Sequence, residues 1–336
     1  MSRVFHCGFE NNGTGEWTTV SGATVVSSPV RTGTYAIECI GGNEYALYSH
    51  GTSYQEWYGG FGFRWTHGAP GAGTQFFMII DSGGTPQLSL AMHWASGHIH
   101  LHRGNDAADL LVTATLPCKE RVWHYLEFYV KIADSGGRFV LKVDGVTHID
   151  FTGDTRAGTA DCNAFRYGAS GTLNNAGVDC WFDDIVLNSV DGTAPQTYPG
   201  RVGIQMLKPN GAGSYTQCAP LSDANYQMVD EVQADGDTTY VYDDTVDQKD
   251  TYAHEALTAT AGTVGAVRWN GRARVVSSTG NYAMLLRQGA TDFQGVDRAL
   301  TTSYARAWAC RSNDPTDSAA WTIAKVNSIE IGFAVR

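Results

Sequence analysis

The chain is poor in charge. Asp, Glu, Lys and Arg make up 17% of its residues, against about 25% in an ordinary globular domain. What charge there is leans acidic, with a formal net charge of −11. A basic footprint is therefore missing, and with it the electrostatic ground for a nucleic-acid partner or an anionic membrane surface. No apolar run approaches the ~20 residues of a membrane helix. The opening MSRVFHCGFE lacks the apolar core of a secretory signal, so synthesis in a cytoplasm is the expectation. Cysteine pairing is absent as well. Seven Cys are scattered without a CxxC spacing, and an odd count suits neither a zinc site nor a disulfide framework. They read as reduced thiols serving as small hydrophobes.

Catalytic spacing is missing too. There is no Gly-x-Ser-x-Gly, Walker loop, GxGxxG or HExxH. A retaining glycosidase strand sets its acids at alternate positions, as in E-x-D-x-E, so that both reach one face. Here Glu127 is a lone strand acid with no acidic residue two positions to either side. Nothing in the spacing requires a cofactor, and an enzyme is not expected.

What the chain does have is glycine and aromatic side chains: 39 Gly, 16 Tyr, 13 Phe and 9 Trp. That mixture favours strands and tight turns. The clearest stretch is residues 121–150, RVWHYLEFYVKIADSGGRFVLKVDGVTHID. Its runs 123–132, 138–143 and 146–151 alternate in polarity and are separated by a Gly-Gly turn and an Asp-Gly turn. Period-two alternation with such turns predicts a three-strand antiparallel meander. Short strands continue on both sides, about thirteen across the first 190 residues, with turns spaced as in a sandwich. The strand at 58–65 (YGGFGFRW) alternates aromatic with small residues, as a tightly packed inner strand does. Residues 68–73 are glycine-rich and read as a flexible loop.

Residues 191–200, within the Pro- and Gly-rich NSVDGTAPQTYPG, read as a linker. The chain then divides into a β-sandwich at 1–190 and a second, smaller β-sandwich at 201–336. In the second unit, strands are expected at 202–208, 264–276, 282–287, 304–309 and 329–335. Residues 209–213 (PNGAG) read as the turn after the first of these. Residues 318–326 have room for one helical turn.

Three resemblances follow from quoted residues. Trp123, Gly136-Gly137 and Val143-Asp144-Gly145 resemble the meander of laminin-G and concanavalin-A-like jelly rolls, which implies an all-β jelly-roll fold for residues 1–190. Gly8-Phe9-Glu10, Trp17 and Asp183-Asp184-Ile185 resemble the two ends of family four and twenty-two carbohydrate-binding modules. In those modules the first-strand Glu and the closing-strand Asp ligate a structural calcium, which implies that role for Glu10 and Asp183. The stretches GRVGIQMLKPNGAGSYTQ, NYQMVDE, DGDTTYV, DQKDTYA and DPTDSAAWT resemble the module that follows such a jelly roll in tailed-bacteriophage virion proteins. That resemblance implies a structural virion component (tail fibre, neck or capsid decoration) whose partners are other virion proteins and its own copies, with a trimer as the first expectation.

Three groups of residues stand out as sites. On strand parity Trp181, Asp183, Ile185 and Leu187 share a face, and Ile185 and Leu187 must point to the core. An inward Asp183 needs either a cation, such as calcium shared with Glu10, or several backbone N–H donors. His98, His100 and His102 share one strand face, open to a transition metal, a pH-sensitive interface or plain solvation. Tyr54, Trp57 and Tyr58 cluster in GTSYQEWYGG. Exposed, Trp57 and Tyr58 would stack on a host-surface glycan; buried, they would be a strand entry or subunit contact. The leading expectation is a virion structural protein, with a carbohydrate-binding adhesin second and a glycan hydrolase third.

Overall fold

The computed structural model describes residues 3–40, 42–67, 74–105, 109–168, 178–190, 197–276 and 279–336. The loop expected at 68–73 and residues 191–196 of the expected linker lie outside the described residues. Strands are the main regular structure of the chain, which forms two compact units, Met1–Ile204 and Gln205–Arg336. Among the described residues no helix is long and apolar enough to cross a membrane. All seven cysteines are buried and unbridged.

Unit 1 is a jelly-roll sandwich of two antiparallel sheets. The first runs Val146–Gly153, Gly137–Val143, His124–Lys131, Glu56–His67, Val178–Ser189, Ala36–Cys39, Thr24–Val26, with Arg3–Cys7 also paired to Val178–Ser189. The second runs Leu110–Thr113, His98–Arg103, Pro86–His93, Thr74–Ile80, Cys162–Gly168, Tyr45–Tyr54, Thr19–Ser21. The expected meander is present in register, with Phe128 opposite Leu141 and Leu141 opposite Ile149. Its turn uses positive φ at both Asp144 (51°) and Gly145 (84°), the primed geometry that matches strand twist. Leu126, Phe128 and Val130 point inward and meet the other sheet, where Phe77 lies 5.1 Å from Phe128 and Phe165 lies 6.0 Å from it.

The strand Glu56–His67 buries Phe61, Phe63 and Trp65 in the core. Gly60 and Gly62 alternate with them and face away from it. A Cβ at Gly62 would stand 2.6 Å from Arg31 Cδ, and one at Gly60 would stand 2.9 Å from Pro199 Cγ. The glycines therefore make a groove in the outer face, and chain from two other places lies in it. Residues 197–204 are part of unit 1, so its boundary falls later than residue 200. Asn188 Nδ2 donates to Thr197 O at 3.2 Å, and Gly200 N donates to Glu127 Oε1 at 2.8 Å. Glu127, buried on the meander, thus anchors the departing chain.

Unit 2 has a five-strand sheet, ordered Pro209–Thr216, Lys249–His254, Ile329–Val335, Gly280–Gln288, Thr291–Leu300. A two-strand ribbon, Val267–Ala273 with Ala305–Arg311, shares its core through Trp269 and Ala307 against Tyr282, Met284 and Leu286. The expected helical turn is Ile323–Val326, capped by Thr322, and a second, 3-10 turn lies at Asn225–Met228. One expectation is reversed here. The strand is Pro209–Thr216, where a turn is expected, while 202–208 carries none until Pro209. The Pro and Gly residues suit an edge strand. Gly213 is required by close approach, since a Cβ there would sit 2.5 Å from Thr251 O.

Candidate functional site

The residues singled out at the ends of unit 1 do come near one another, around a loop rather than a cation. In Val178–Ser189 the pairing to Glu56–His67 passes from Asp183 opposite Gly62 to Val186 opposite Gly60. Three steps on one strand match two on the other, so an extra residue is inserted, and Asp184 takes it up at φ 49°. This bulge inverts the parity of the strand. Cys180 and Phe182 face the core before it, and Ile185 and Leu187 after it. Trp181 and Asp183 therefore do not share the face of Ile185, as strict alternation would have them. Trp181 lies on the outer face, its Nε1 bonded to Glu38 Oε1 at 2.8 Å and its ring under the Arg64 guanidinium at 4.9 Å.

Both carboxylates of the bulge are fully buried, and both are satisfied by donors. Asp183 Oδ2 accepts from Arg31 N at 2.9 Å and Thr32 N at 3.2 Å, while Oδ1 accepts from Asp184 N at 2.7 Å. Asp184 accepts from Arg31 Nη1, from Thr32 Oγ1 at 2.8 Å and from Ile204 N at 2.7 Å. Arg31 Nη1 also donates to Val202 O at 2.6 Å, and its guanidinium lies 4.6 Å from the centre of the Tyr125 ring. Glu10 closes the other end of the loop, accepting from Thr34 N at 2.9 Å and Tyr35 N at 3.3 Å.

Calcium takes six to eight oxygen ligands. Here the oxygens of Glu10 and Asp183 are turned to N–H groups, and a guanidinium sits against Asp184. The donor set does not fit the cation, and among the described residues no cluster of three or more His, Cys, Asp or Glu could hold a metal. Burial, then the neighbouring Asp184 charge, raises the pKa of Asp183. Burial also raises that of Asp184, against the lowering pull of Arg31 and its hydrogen bonds. Arg31 and Asp184 are the members of this set that sequence reasoning left without a role. Two adjacent acids inside an otherwise apolar closing strand were the signal.

The aromatic cluster divides. Trp57 is fully buried, its Nε1 donating to Cys162 O at 2.9 Å and its ring packed on Phe165 at 5.0 Å. It is not a stacking surface for sugar; strand alternation puts it inward, as it does Phe61. Tyr58 lies on the outer face, half-buried, with Tyr129 at 4.8 Å and Tyr198 at 5.4 Å. Tyr198 belongs to the segment crossing the groove, and Lys142 Nζ covers its ring at 3.7 Å. The outer face of this sheet is thus used to hold the chain's own residues 197–204.

The outer face of the second sheet is organised differently. His98, His100 and His102 line it as expected, with His93 added from the next strand. The rings of His93 and His100 stack at 5.1 Å, and His102 is 6.0 Å from His100. They are not a fully solvated row, because His102 is buried and the other two half-buried. Across the floor Ser89, Ala91 and Gln75 are buried, while Arg166 and Tyr45 are half-exposed on the far side, stacked at 4.4 Å. By register Ala91 stands between Gln75 and His100, and Met78 and Ser89 stand between Arg166 and His102. The Gln75 side chain is 0% exposed, yet neither its Oε1 nor its Nε2 has a hydrogen-bond partner. Among the described residues it alone has two such atoms. It is a polar residue in the apolar run TQFFMII, and that break in the run was the signal available in the sequence.

No family model matches the chain, and no curated protein does. Solved structures show likenesses that fall on part of the chain. An endo-β-1,4-glucuronan lyase from the fungus Trichoderma reesei aligns over 56% of this chain and 96% of its own, at 19% identity and TM-score 0.42. The carbohydrate-binding module CBM66 from Bacillus subtilis aligns over 52% and 97%, at 10% identity and TM-score 0.35. The binding domain of Paraclostridial Mosquitocidal Protein 1 aligns over 56% and 48%, at 11% identity and TM-score 0.40. Likenesses this distant carry no argument about ligand or reaction, and none of the three is described as a virion protein.

Proposed function

We propose that unit 1 is a carbohydrate-binding module whose ligand lies on the outer face of the sheet containing Thr74–Ile80. The observation that carries this reading is Gln75. A buried amide with both of its polar atoms unpaired costs free energy that folding does not recover. An amide offers two donors and an acceptor side by side, which is the pattern that adjacent sugar hydroxyls complement. Its neighbours add ring nitrogens and a guanidinium around a floor of small side chains. That is how a site fixes a polar ligand by a few placed groups. The reading is of binding rather than hydrolysis, because a glycosidase needs two carboxylates and by register this face has none among the described residues.

Gln75→Leu tests it. Leucine keeps the approximate volume and removes two unpaired polar atoms, so the folded state should be as stable as before or more so. Glycan-array binding by the full chain should fall while the melting temperature holds or rises. An array with no binding by the parent, or full binding by the variant, would count against the proposal.

A virion setting for this module is favoured by the resemblance of the stretches between residues 200 and 322 to phage modules. Unit 2 would then serve assembly as a homo-oligomer, and unit 1 would meet the host surface. Copurification with particles at a fixed stoichiometry tests that setting, and loss of the chain from washed particles would remove it.

A further inference from the structure

The charge on the proposed binding face runs against the charge of the chain. The whole sequence has 34 acidic residues to 23 Lys and Arg. By register, the outward positions of the seven strands hold Arg166, His93, His98, His100 and His102, and no Asp or Glu among the described residues. Acids at the margin of the sheet are engaged there, Glu44 by Ile40 N at 2.6 Å and Asp161 by Ser82 N at 3.0 Å. Asp81 takes N–H groups from Gly83, Thr85 and Thr159 at 2.9, 2.7 and 2.9 Å, and Asp109 pairs with Arg103 at 2.7 Å.

Placement gives that charge a direction. Arg166, Met78, Ser89 and His102 stand side by side on four adjacent strands, about 14 Å from end to end at the usual strand spacing. The guanidinium is therefore on one side of the small-residue floor and the histidine row on the other, with Gln75 between. His100 makes no hydrogen bond among the described residues, so its ring nitrogens are available to a ligand. His98 and His93 are already oriented, by Ala114 O at 2.7 Å and Ser96 Oγ at 2.8 Å. A planar guanidinium meets a carboxylate with paired N–H donors, and imidazoles add charge as they protonate.

Building on the carbohydrate-binding reading, we infer that the ligand of this face is an acidic polysaccharide, a polyuronate whose carboxylates are met by Arg166 and the histidine row. By register the charge on this face is of one sign among the described residues. An anionic chain is complementary to it, in both contacts and approach. Protonation should strengthen binding. The charged or titratable groups facing His100 are His93 on the neighbouring strand and His98 and His102 on its own. Burial, then the like charge of those neighbours, holds the pKa of His100 below the usual histidine value; an anionic ligand offsets that repulsion and favours the protonated ring, so binding should tighten as pH falls.

The test is calorimetric titration of the full chain with oligogalacturonate, and with the same oligosaccharide after its carboxyl groups are reduced to alcohols. The expected result is binding that weakens about tenfold or more on reduction, and about tenfold in Arg166→Gln. Wild type should bind more tightly at pH 5.5 than at pH 8, and His100→Ala, a half-buried residue without hydrogen bonds, should lose much of that difference. If Arg166→Gln does not fold, the reduced oligosaccharide and His100→Ala decide the matter without it. Equal affinity for the reduced and unreduced forms would overturn the acidic ligand and leave carbohydrate binding standing. Binding of neither form, together with a blank glycan array, would overturn both.

Discussion

Arg31→Ala strikes the point where the loop, the bulge and the departing chain meet. The Arg31 side chain is 6% exposed and the Asp184 side chain 0%. The substitution removes the bond to Asp184, the bond to Val202 O and the contact with Tyr125. It also leaves two adjacent buried carboxylates without that guanidinium. Stranding a buried charge costs about 3–5 kcal/mol. For a domain of this size each kcal/mol moves the melt by about 2–4 °C, giving a drop of about 6–20 °C. The pH dependence follows from the sign of the shift. Asp183 binds its proton more tightly when folded, with a pKa pushed up to about 8 by burial and by Asp184. Below the ordinary Asp value, about 4, the protonated pair carries no penalty. Stability is then lost as pH rises from there through about 8, since the folded state binds the extra proton. Unit 1 of the parent should therefore melt higher at pH 5 than at pH 8. Arg31→Ala should widen that gap, because the remaining way to relieve the pair is to protonate it. Calorimetry at the two pH values reads both effects, and hydrogen exchange over residues 31–35 and 178–190 assigns them to unit 1. A drop under about 2 °C, or the same drop at both pH values, would refute the reasoning.

Three further outcomes are expected. Removal of divalent ions with EDTA should leave the melt of the full chain unchanged, because Glu10 and Asp183 are satisfied by N–H donors; a fall of several degrees that calcium restores would reinstate the metal. Trp57→Ala should lower unfolding free energy by about 3–5 kcal/mol, measured by urea titration, with glycan affinity of the folded fraction unchanged; a stable variant with lost binding would place Trp57 at the ligand after all. Gly62→Ala should destabilise unit 1, since its Cβ would meet Arg31 Cδ at 2.6 Å, and should cost less in an Arg31→Ala background. Equal costs in a double-mutant cycle would mean that the groove does not exist to hold Arg31.

Much of the sandwich could be read from residues alone, because its information is local. Alternation in 123–151 states which side chains face inward, and Asp144-Gly145 states where the chain reverses. The α-helical turn near Trp321 was legible for a similar reason, since Thr322 caps it three residues before Lys325. What could not be read depends on contacts distant in sequence. The bulge at Asp184 flips the strand only because Arg31, Thr32 and Ile204 wait on the outer side. Until that is known, parity places Asp183 in the core. The strand at Pro209–Thr216 hides behind turn residues, since an edge tolerates Pro and a close neighbour demands Gly. Trp57 stayed open between a sugar-stacking surface and a buried strand entry because aromatic clusters occur in both settings, and only the partner sheet decides between them. The histidine row was visible in the sequence. Its meaning was not, because Gln75 and Arg166 join it from strands 23 and 66 residues away from His98 and His100 respectively.

The proposed binding face is tested most directly by locating where a glycan would touch unit 1. Hydrogen–deuterium exchange of the full chain with and without a glycan ligand measures that. Protection should appear in Thr74–Ile80, Pro86–His93 and His98–Arg103, with Glu56–His67 and His124–Lys131 unaffected. Protection confined to those last two strands, around Tyr58 and Tyr129, would place the ligand on the opposite sheet and contradict the assignment.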